Sequence, residues 1–541
     1  MTVHSHGGRP YDWVGDWSAR RRQLSPDAVG LRDATTGEAF TYRELDERAN
    51  ATARLLAAHG VTADGDAAAP APSADEVGEA AVGGRVAVVS RNRPELVDLF
   101  FATGKTGGVL APLSHRLAER ELAELLDDVA PSLVVVEDAF DDDVAAALAH
   151  DACDYDGPVL GLGDSQFDSF AAAVPDDASA YDAASVGMDD AHLFLHTGGS
   201  TGTPKETVLT HGGLAWNSFN TITAWGLRPE DVTPMVFPMF HTGGWNVLTL
   251  PCFHLGAEVV IAREFDAEQV LDIVDADDAT VLVAVPAVLR MMTEADGWES
   301  ADLSTLRFAK SGGGPCRQSV MEAWWSRDVD LSQGYGLTEC GPNNFAMPDG
   351  WSREKADSVG VPGMHVDARV VDDDGRAVED GTVGELELAS PHAADRYWRN
   401  PEESRATFGA RGADRDAYVS TGDLARVDED GYVHIEGRKK EMFVSGGENV
   451  YPAEVEDVLS QHAKVDDVVV VPVSDDTWGE VGKAVVEGDD SLTLDDLDAF
   501  CDGQLARFKV PKGLAFVDEM PTSGPSKIDR QAVEERFGDG E

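Results

Sequence analysis

The sequence predicts an α/β protein: a large N-terminal domain of mixed and parallel sheets flanked by helices, with a β subdomain, followed by a small α+β C-terminal domain. Three observations lead there. Short β-branched runs recur with helix-like stretches between them, the pattern of parallel sheets covered on both faces. Around residues 366–390 this alternation gives way to two strands joined by an acidic Gly turn. At 541 residues the chain exceeds what one hydrophobic core sustains, so at least two domains are expected.

Ala63–Gly84, rich in Ala, Pro, Asp and Gly, has little to bury and reads as a surface insertion. Val86–Val89 and Leu133–Val136 have the length of buried strands, and Ala118–Leu126 between them reads as a helix. The acidic stretch Pro175–Asp190 reads as a second loop, and Val259–Ile261 and Val281–Val285 as further strands before a helix at Ala287–Met292. Val366–Val371, the turn Asp372–Gly375 and Gly384–Leu388 form an antiparallel unit. After the turn Asp428–Gly431 and the strand Tyr432–Ile435, a boundary near Gly437–Lys440 divides the chain into domains 1–437 and 438–541. The second has its own strands, Val468–Val471 among them, and the size of a small domain. No internal repeat is present.

Lys and Arg total 43 against 99 Asp and Glu, a net charge of −56. That field repels nucleic-acid phosphates and anionic lipid, so neither is expected as a partner. Acidic runs such as Asp141–Asp143, Asp372–Asp374 and Asp489–Asp490 are spread along the chain, as for whole-surface solvation. Such acidic, lysine-poor surfaces suit a salt-rich cytoplasm, where salt screens self-repulsion. The five cysteines form no CxxC pair or His/Cys cluster at metal-ligand spacing, which fits a reducing cytosol. The start lacks the apolar core of a signal peptide, and no apolar run approaches the roughly 20 residues of a bilayer span. A soluble cytoplasmic protein without membrane insertion is expected.

The strongest local feature runs from the apolar Leu193–Leu195 through His196 into Thr197, Gly198, Gly199, Ser200, Thr201, Gly202, Thr203, Pro204 and Lys205. Small residues let backbone N–H groups approach phosphate oxygens, the hydroxyls add donors, and Lys205 adds a positive charge. A Walker A loop needs Gly-Lys-Ser/Thr in succession; here Thr203 and Pro204 separate Gly202 from Lys205, which disfavours a P-loop kinase. A helix starts near Thr210.

Thr197–Lys205 resembles the phosphate loop of the adenylate-forming (AMP-binding) superfamily, which includes acyl-CoA synthetases, peptide-synthetase adenylation domains and beetle luciferases. The family's other motifs follow in its order, from about Thr41 to Arg530. Gln333, Gly334, Tyr335, Gly336, Leu337, Thr338 and Glu339 resemble the second core motif. The resemblance implies that Thr338 bonds the α-phosphate and that Glu339 holds Mg²⁺, with Thr201 as a second contact. A metal role suits a lone carboxylate there, since Mg²⁺ takes one or two carboxylates plus substrate phosphates. Ser311, Gly312, Gly313, Gly314 and Pro315, after the strand Leu306–Lys310, resemble the loop that lies against adenine. Tyr418–Asp423 resembles the segment whose Asp accepts from the ribose hydroxyls, here Asp423, with Arg438 as its basic partner.

Ser445–Glu456 matches the family pattern at almost every position and places Gly446 and Gly447 beside the pantetheine tunnel. Lys440 falls at the family's hinge, which makes the C-terminal domain mobile. Pro521–Arg530 resembles the last motif and leaves Lys527 as its catalytic lysine, an ammonium that opposes charge developing in the adenylation transition state. Pro238–Gly244 resembles the aromatic motif that gates the thiol's approach, which gives His241 a pocket role; a packed core histidine is the alternative. Two departures stand out: Ser526 before the lysine and Glu206 after Lys205, both where the family usually has Gly.

The implied function is an ATP-dependent acyl-CoA synthetase: ATP, Mg²⁺ and coenzyme A convert a carboxylic acid to acyl-AMP with pyrophosphate release, then to the thioester. A medium- or long-chain fatty acid is expected, with an aryl or succinylbenzoate-type acid as the alternative substrate. A stand-alone adenylation enzyme with another acceptor and a silent nucleotide-binding regulator are the rival readings. Phe240–Trp245, Ser311–Pro315 and Gly336–Asn344 are expected to line the acyl pocket. Lys310 reads as a strand-end surface lysine, with a second substrate carboxylate as its alternative partner.

Overall fold

The computed structural model describes residues 12–65, 69, 77–197, 205–409, 418–445, 448–475, 478–502, 504–522 and 528–538. Its centre follows from the valine-rich runs, whose β-branched side chains suit a pleated surface packed on both faces. Arg85–Val89, Val109–Leu113 and Leu133–Glu137 are buried along their whole length and pair in parallel. Around them an eight-stranded sheet extends to Val159–Leu162 and Asp168–Ser169 on one side. On the other lie Ala191–Thr197, Lys205–Thr210 and Arg396–Tyr397. These last strands run antiparallel, with Thr197 opposite Lys205 and Tyr397 opposite Thr207.

The sequence reading passes from the Gly-rich loop directly to a helix and so misses the strand Lys205–Thr210. Helix His211–Trp225 begins as expected, with the Thr210 hydroxyl accepting from the Gly213 N–H at 3.0 Å. The expected surface insertion is only partly that. Its described end packs inward, with Val77, Ala80 and Val82 buried, and Asp395 accepts from the N–H groups of Glu79 and Ala80.

A second sheet holds Val232–Met235, Glu258–Ile261, Val29–Asp33 and Ala39–Thr41. A third, parallel throughout, holds Val281–Ala284, Phe308–Ser311 and Leu331–Gln333. Its two faces go to different cores, as the alternation of a strand requires. Leu282, Ala309 and Leu331 pack with Trp298 and Trp324, whereas Val281 and Val283 join the main core. The antiparallel unit is a four-stranded sheet of Asp367–Val371, Gly384–Ala389, Val419–Val427 and Val433–Arg438.

Beyond Arg438 the chain builds a five-stranded sheet with its own core of Phe443, Val455, Leu459, Val486 and Leu497. Its long hairpin, Val465–Asp475 with Gly479–Gly488, takes Gly513–Val517 as a parallel neighbour. Helix Pro452–Leu459 lies on Val433–Arg438, and Arg317 pairs with Asp467 at 2.7 Å across to the larger part. Among the described residues no helix is long and apolar enough to cross a membrane.

Candidate active site

Three Gly-rich segments leave the C-terminal ends of strands, where open α/β sheets place their ligands. Residues 198–204 follow Ala191–Thr197, Gly312–Gly314 follow Phe308–Ser311, and Gly334–Gly336 follow Leu331–Gln333. Of the first, Gly198, Gly199, Ser200, Thr201 and Gly202 lie outside the described residues, so only its stem, Thr197 and Lys205, is placed. The second is open: Gly313, Gly314 and Pro315 are exposed, and Gly313 takes φ +86°, a left-handed conformation that suits glycine. Its base is fixed where Gln333 accepts from the Cys316 N–H at 3.0 Å and Gly334 N–H donates to Ser311 O at 2.7 Å.

The third segment folds into a compact turn bridged from Leu337 to Gly341. A Cβ on Gly336 would lie 2.2 Å from the Pro342 backbone, so glycine is required for this close approach. The turn presents Thr338, which is buried, and Glu339, which is half-buried. Glu339 accepts from the Tyr397 hydroxyl at 2.7 Å through Oε1, and its second oxygen has no hydrogen-bond partner among the described residues. Lys205 sits 5.6 Å above the ring of the same Tyr397 and forms a close ion pair with Glu403. One tyrosine thus joins the stem of the first loop to the turn of the third. Burial, then the charge of Glu339, pushes the Tyr397 phenol far above its ordinary range, so it stays a donor at every working pH.

A second cluster centres on Asp423, which is buried. It stands opposite Arg438 in the antiparallel register and receives the Arg438 Nε at 2.8 Å. Its other oxygen accepts a short hydrogen bond from the Tyr335 hydroxyl, which ties it to the third Gly-rich segment. Burial and then Asp423 hold the Tyr335 phenol protonated. Arg438 Nη1 also donates to Thr421 O at 3.3 Å. Lys440 follows in an exposed turn, where the Glu441 N–H bonds back to Arg438 O.

The structure also decides two alternatives that the sequence left open. His241 is exposed rather than packed in the core, and its Nδ1 accepts from the Gly243 N–H at 3.1 Å. Phe240 beside it stacks on His196 at 5.8 Å, while Trp245 is fully buried and donates to Met239 O at 2.6 Å. Lys310 is not a surface lysine. It is 7% exposed, on the inward face of its strand.

Glu206 is likewise fully buried, and neither carboxyl oxygen has a hydrogen-bond partner among the described residues. His196, its partner across the hairpin, approaches no nearer than 3.9 Å. Burial, then Asp128, raises Glu206 well above the carboxylate range, so it is a neutral acid; burial and then His241 lower His196 to about 4, so it is neutral too.

Gly446, Gly447, Ser526 and Lys527 lie outside the described residues; their anchors do not. Phe443–Ser445 pairs with Glu448–Val450 on either side of the glycines. The stem of the lysine loop is bridged from Thr522 to Ile528, and Arg530 clamps it to Glu456 at 2.7 Å and Glu441 at 3.1 Å.

The sequence reading missed Tyr397 and Glu403, which tie the first cluster together. The available signal was the run Arg396–Asn400, aromatic and basic, set before a helix that Asn400 caps and Pro401 opens.

Two family models match the chain: AMP-binding enzyme over residues 78–398 and AMP-binding enzyme C-terminal domain over 454–527. A feruloyl-CoA synthase of an Amycolatopsis species is 34% identical over 537 residues, 97% of this chain and 99% of that one. An indoleacetate–CoA ligase of Aromatoleum aromaticum is 35% identical over 83% of this chain and 87% of its own. Among solved structures, ATP-bound MatB from Rhodopseudomonas palustris superimposes with a TM-score of 0.84 at 29% identity, covering 97% of this chain and 99% of that one.

Proposed function

The chain belongs to the AMP-binding enzyme family and is an AMP-forming acid–thiol ligase that uses ATP, Mg²⁺ and coenzyme A, and on that premise we propose that its acid is an aryl acid. The observation that carries the site assignment is the meeting of Lys205 and Glu339 on the single side chain of Tyr397. A cation and a carboxylate with one open oxygen, beside Gly-rich loops, suit a polyphosphate and its metal. Support for the aryl acid comes from the feruloyl- and indoleacetate-activating relatives and from the aromatic side chains Trp225, Phe308 and Phe345 near the third sheet.

In the first half-reaction the substrate carboxylate attacks the α-phosphorus of ATP. The bond to pyrophosphate breaks and acyl-AMP forms. In the second, the coenzyme A thiol loses its proton and attacks the acyl carbon, and AMP departs. Catalysis of such transfers rests on positioning and charge neutralisation. Glu339, with one oxygen held by Tyr397, is the residue to hold Mg²⁺, with Thr201; the ion supplies charge neutralisation at the phosphates. Lys205 adds a fixed cation at the phosphate loop, Thr338 a hydroxyl for the α-phosphate, and Asp423 with Arg438 the ribose end.

We assign the first step's catalytic ammonium to Lys527 and the thiol tunnel to Gly446 and Gly447. The boundary is set at 437|438, and Lys440 is the residue about which the C-terminal part turns between steps. Arg530 holds the base of the lysine loop for that exchange. A cytoplasmic location and a salt-rich one are part of the same proposal, the latter resting on the net charge of −56.

A medium- or long-chain fatty acid is the second reading, supported by a long-chain-fatty-acid–CoA ligase of Mycobacterium tuberculosis that is 30% identical over 96% of this chain and 98% of that one. Pyrophosphate release from ATP across cinnamates, indoleacetate and fatty acids, with and without coenzyme A, decides between them. Release with octanoate or palmitate but with no aryl acid overturns the first reading. Release that never yields a thioester overturns coenzyme A as acceptor.

A further inference from the structure

Resting on the assignment of the two half-reactions to two poses of the C-terminal part, we propose that the ion pair between Arg317 and Asp467 is a latch. It ties the Gly312–Gly314 loop to the C-terminal sheet and so sets the balance between acyl-AMP formation and thioester formation.

Little else holds the two parts in one arrangement. Among the described residues each buried apolar cluster lies wholly on one side of Lys440. Helix Pro452–Leu459 lies on the strand Val433–Arg438, but the charges that meet there are alike. Burial, then the charge of Asp357, raises the carboxyl group of Asp457 on that helix. Glu436 on the strand is raised by burial, and Glu454 on the helix adds to this against the pull of Arg426. In a chain of net charge −56, this contact works against itself. Arg317 meets Asp467 at 2.7 Å, and among the described residues theirs is the one ion pair that joins the part beyond Lys440 to the part before Arg438.

Both ends of the pair are anchored. Arg317 stands directly before the helix Gln318–Ser326, and its carbonyl accepts from the N–H groups of Val320 at 3.1 Å and Met321 at 3.2 Å. One residue earlier, Gln333 holds the Cys316 N–H at 3.0 Å. The guanidinium is therefore carried by the loop that ends at Pro315, the adenine side of the proposed nucleotide site. Asp467 lies near the start of the strand Val465–Asp475. Three residues on, the Val470 N–H donates to Glu456 at 2.7 Å. Glu456 accepts from Arg530 at 2.7 Å, and Arg530 donates to Glu441, beside Lys440, at 3.1 Å. One series of polar contacts thus runs from the second Gly-rich loop, through the latch, to the base of the lysine loop and the hinge.

The pair is partly exposed, and such a pair contributes little to folding. A balance between two poses is more sensitive, because whatever share one pose loses the other gains. A pair that forms in one pose only biases that balance by its whole strength. Because Arg317 moves with the nucleotide loop, the bias is applied where the nucleotide binds.

Two rates of the full chain test this. One is ATP-dependent pyrophosphate release with the acid of the panel above that releases most. The other is thioester formation from that acid's acyl-AMP and coenzyme A. Arg317→Glu and Asp467→Arg each turn attraction into repulsion, and each is expected to move the ratio of the two rates about 3–10-fold in the same direction. Combining Arg317→Glu with Asp467→Arg rebuilds the pair in reverse and is expected to return the ratio to within about twofold of wild type. A ratio unmoved by the single reversals overturns the inference, and a fall of both rates by one factor, as from a merely structural pair, counts as unmoved. A double variant shifted as far as the singles overturns it too. The two residues sit on different elements, so if one reversal fails to fold, the ratio in the other decides. Equal loss of both half-reactions in Lys527→Ala refutes the two-pose assignment instead; selective loss there with an unmoved latch ratio refutes the latch alone.

Discussion

Replacing Tyr397 with Phe removes one oxygen and leaves the ring, which separates the two things this residue does. The hydroxyl donates to Glu339 Oε1 at 2.7 Å, and the ring lies 5.6 Å from the Lys205 ammonium. A hydrogen bond to a charged group contributes about 1.5–3 kcal/mol. Glu339 is half-buried, so water replaces part of the loss, and the lower figure applies. About 1.5 kcal/mol corresponds to about tenfold in rate. The carboxylate also loses its fixed orientation, and outer-shell partners of metal ligands typically matter about 10–100-fold in metal affinity. Tyr397→Phe is therefore expected to lower kcat/KM for ATP about tenfold and to raise the Mg²⁺ concentration for half-maximal rate by a similar factor. Pyrophosphate release titrated with Mg²⁺ at saturating acid measures both. Tyr397→Ala, which also withdraws the ring from Lys205, should fall further. A Phe variant with a wild-type Mg²⁺ curve would refute the claim that Tyr397 orients a metal-holding Glu339.

Other perturbations test separate parts of the argument. Lys527→Ala is expected to abolish pyrophosphate release, with a loss of about 10²–10³ or more, while thioester formation from supplied acyl-AMP is largely kept; equal loss in both half-reactions would contradict the assignment. Glu206 is held neutral in the fold but ionises in the unfolded chain, so its burial costs stability increasingly as pH rises above the ordinary carboxyl value. Glu206→Gln is accordingly expected to raise the melting temperature at pH 8 more than at pH 5. His434 lies 3.0 Å from Asp357 and 3.2 Å from Asp428; burial lowers it, but these two partners prevail and leave it raised. Its contribution is full below the ordinary imidazole value of about 6.5 and is lost as pH rises through the raised one, a loss that His434→Gln should remove from thermal melts between pH 6 and 9. Glu137 has no exposed side-chain area and is paired with Arg91 and Arg263, which hold it at about 2 against the opposing effect of burial. Glu137→Ala leaves both guanidinium groups without their shared acceptor and is expected to cost about 3–5 kcal/mol in denaturant unfolding.

What could be read from the sequence divides along a physical line. Strands whose two faces are both buried announce themselves as valine runs, and Val86–Val89, Leu133–Val136 and Val281–Val285 fall on strands to within a residue or two at each end. The same holds for Gly-rich turns, because the need for a small residue is local: Gly336 has to let Pro342 approach whatever else the chain does. Lys205–Thr210 was missed because its polar and apolar residues do not show the pattern of either a doubly buried strand or a clean amphipathic one; pairing with Ala191–Thr197 makes it a strand. The end of the supposed insertion was misread for a related reason. Val77, Ala80 and Val82 are too sparse to signal a core segment, yet Asp395, more than three hundred positions away, accepts from the backbone N–H groups of Glu79 and Ala80 among them.

The site shows the same division more sharply. Thr338, Glu339 and Asp423 could be named from their own neighbours in sequence, because each sits in a short motif that fixes its backbone. The settings of Tyr397 and Lys310 could not, because they come from partners across a sheet. Tyr397 matters because the edge strand Arg396–Tyr397 pairs with Lys205–Thr210 and so brings a hydroxyl to Glu339. Lys310 looked like an ordinary strand-end lysine because nothing near it in sequence tells which way the strand faces. The row Val283–Lys310–Ser332 does, and it turns the ammonium inward. Motifs common to many ligases identify the reaction, since that chemistry is shared; the acid is set by residues whose partners are specific to each pocket.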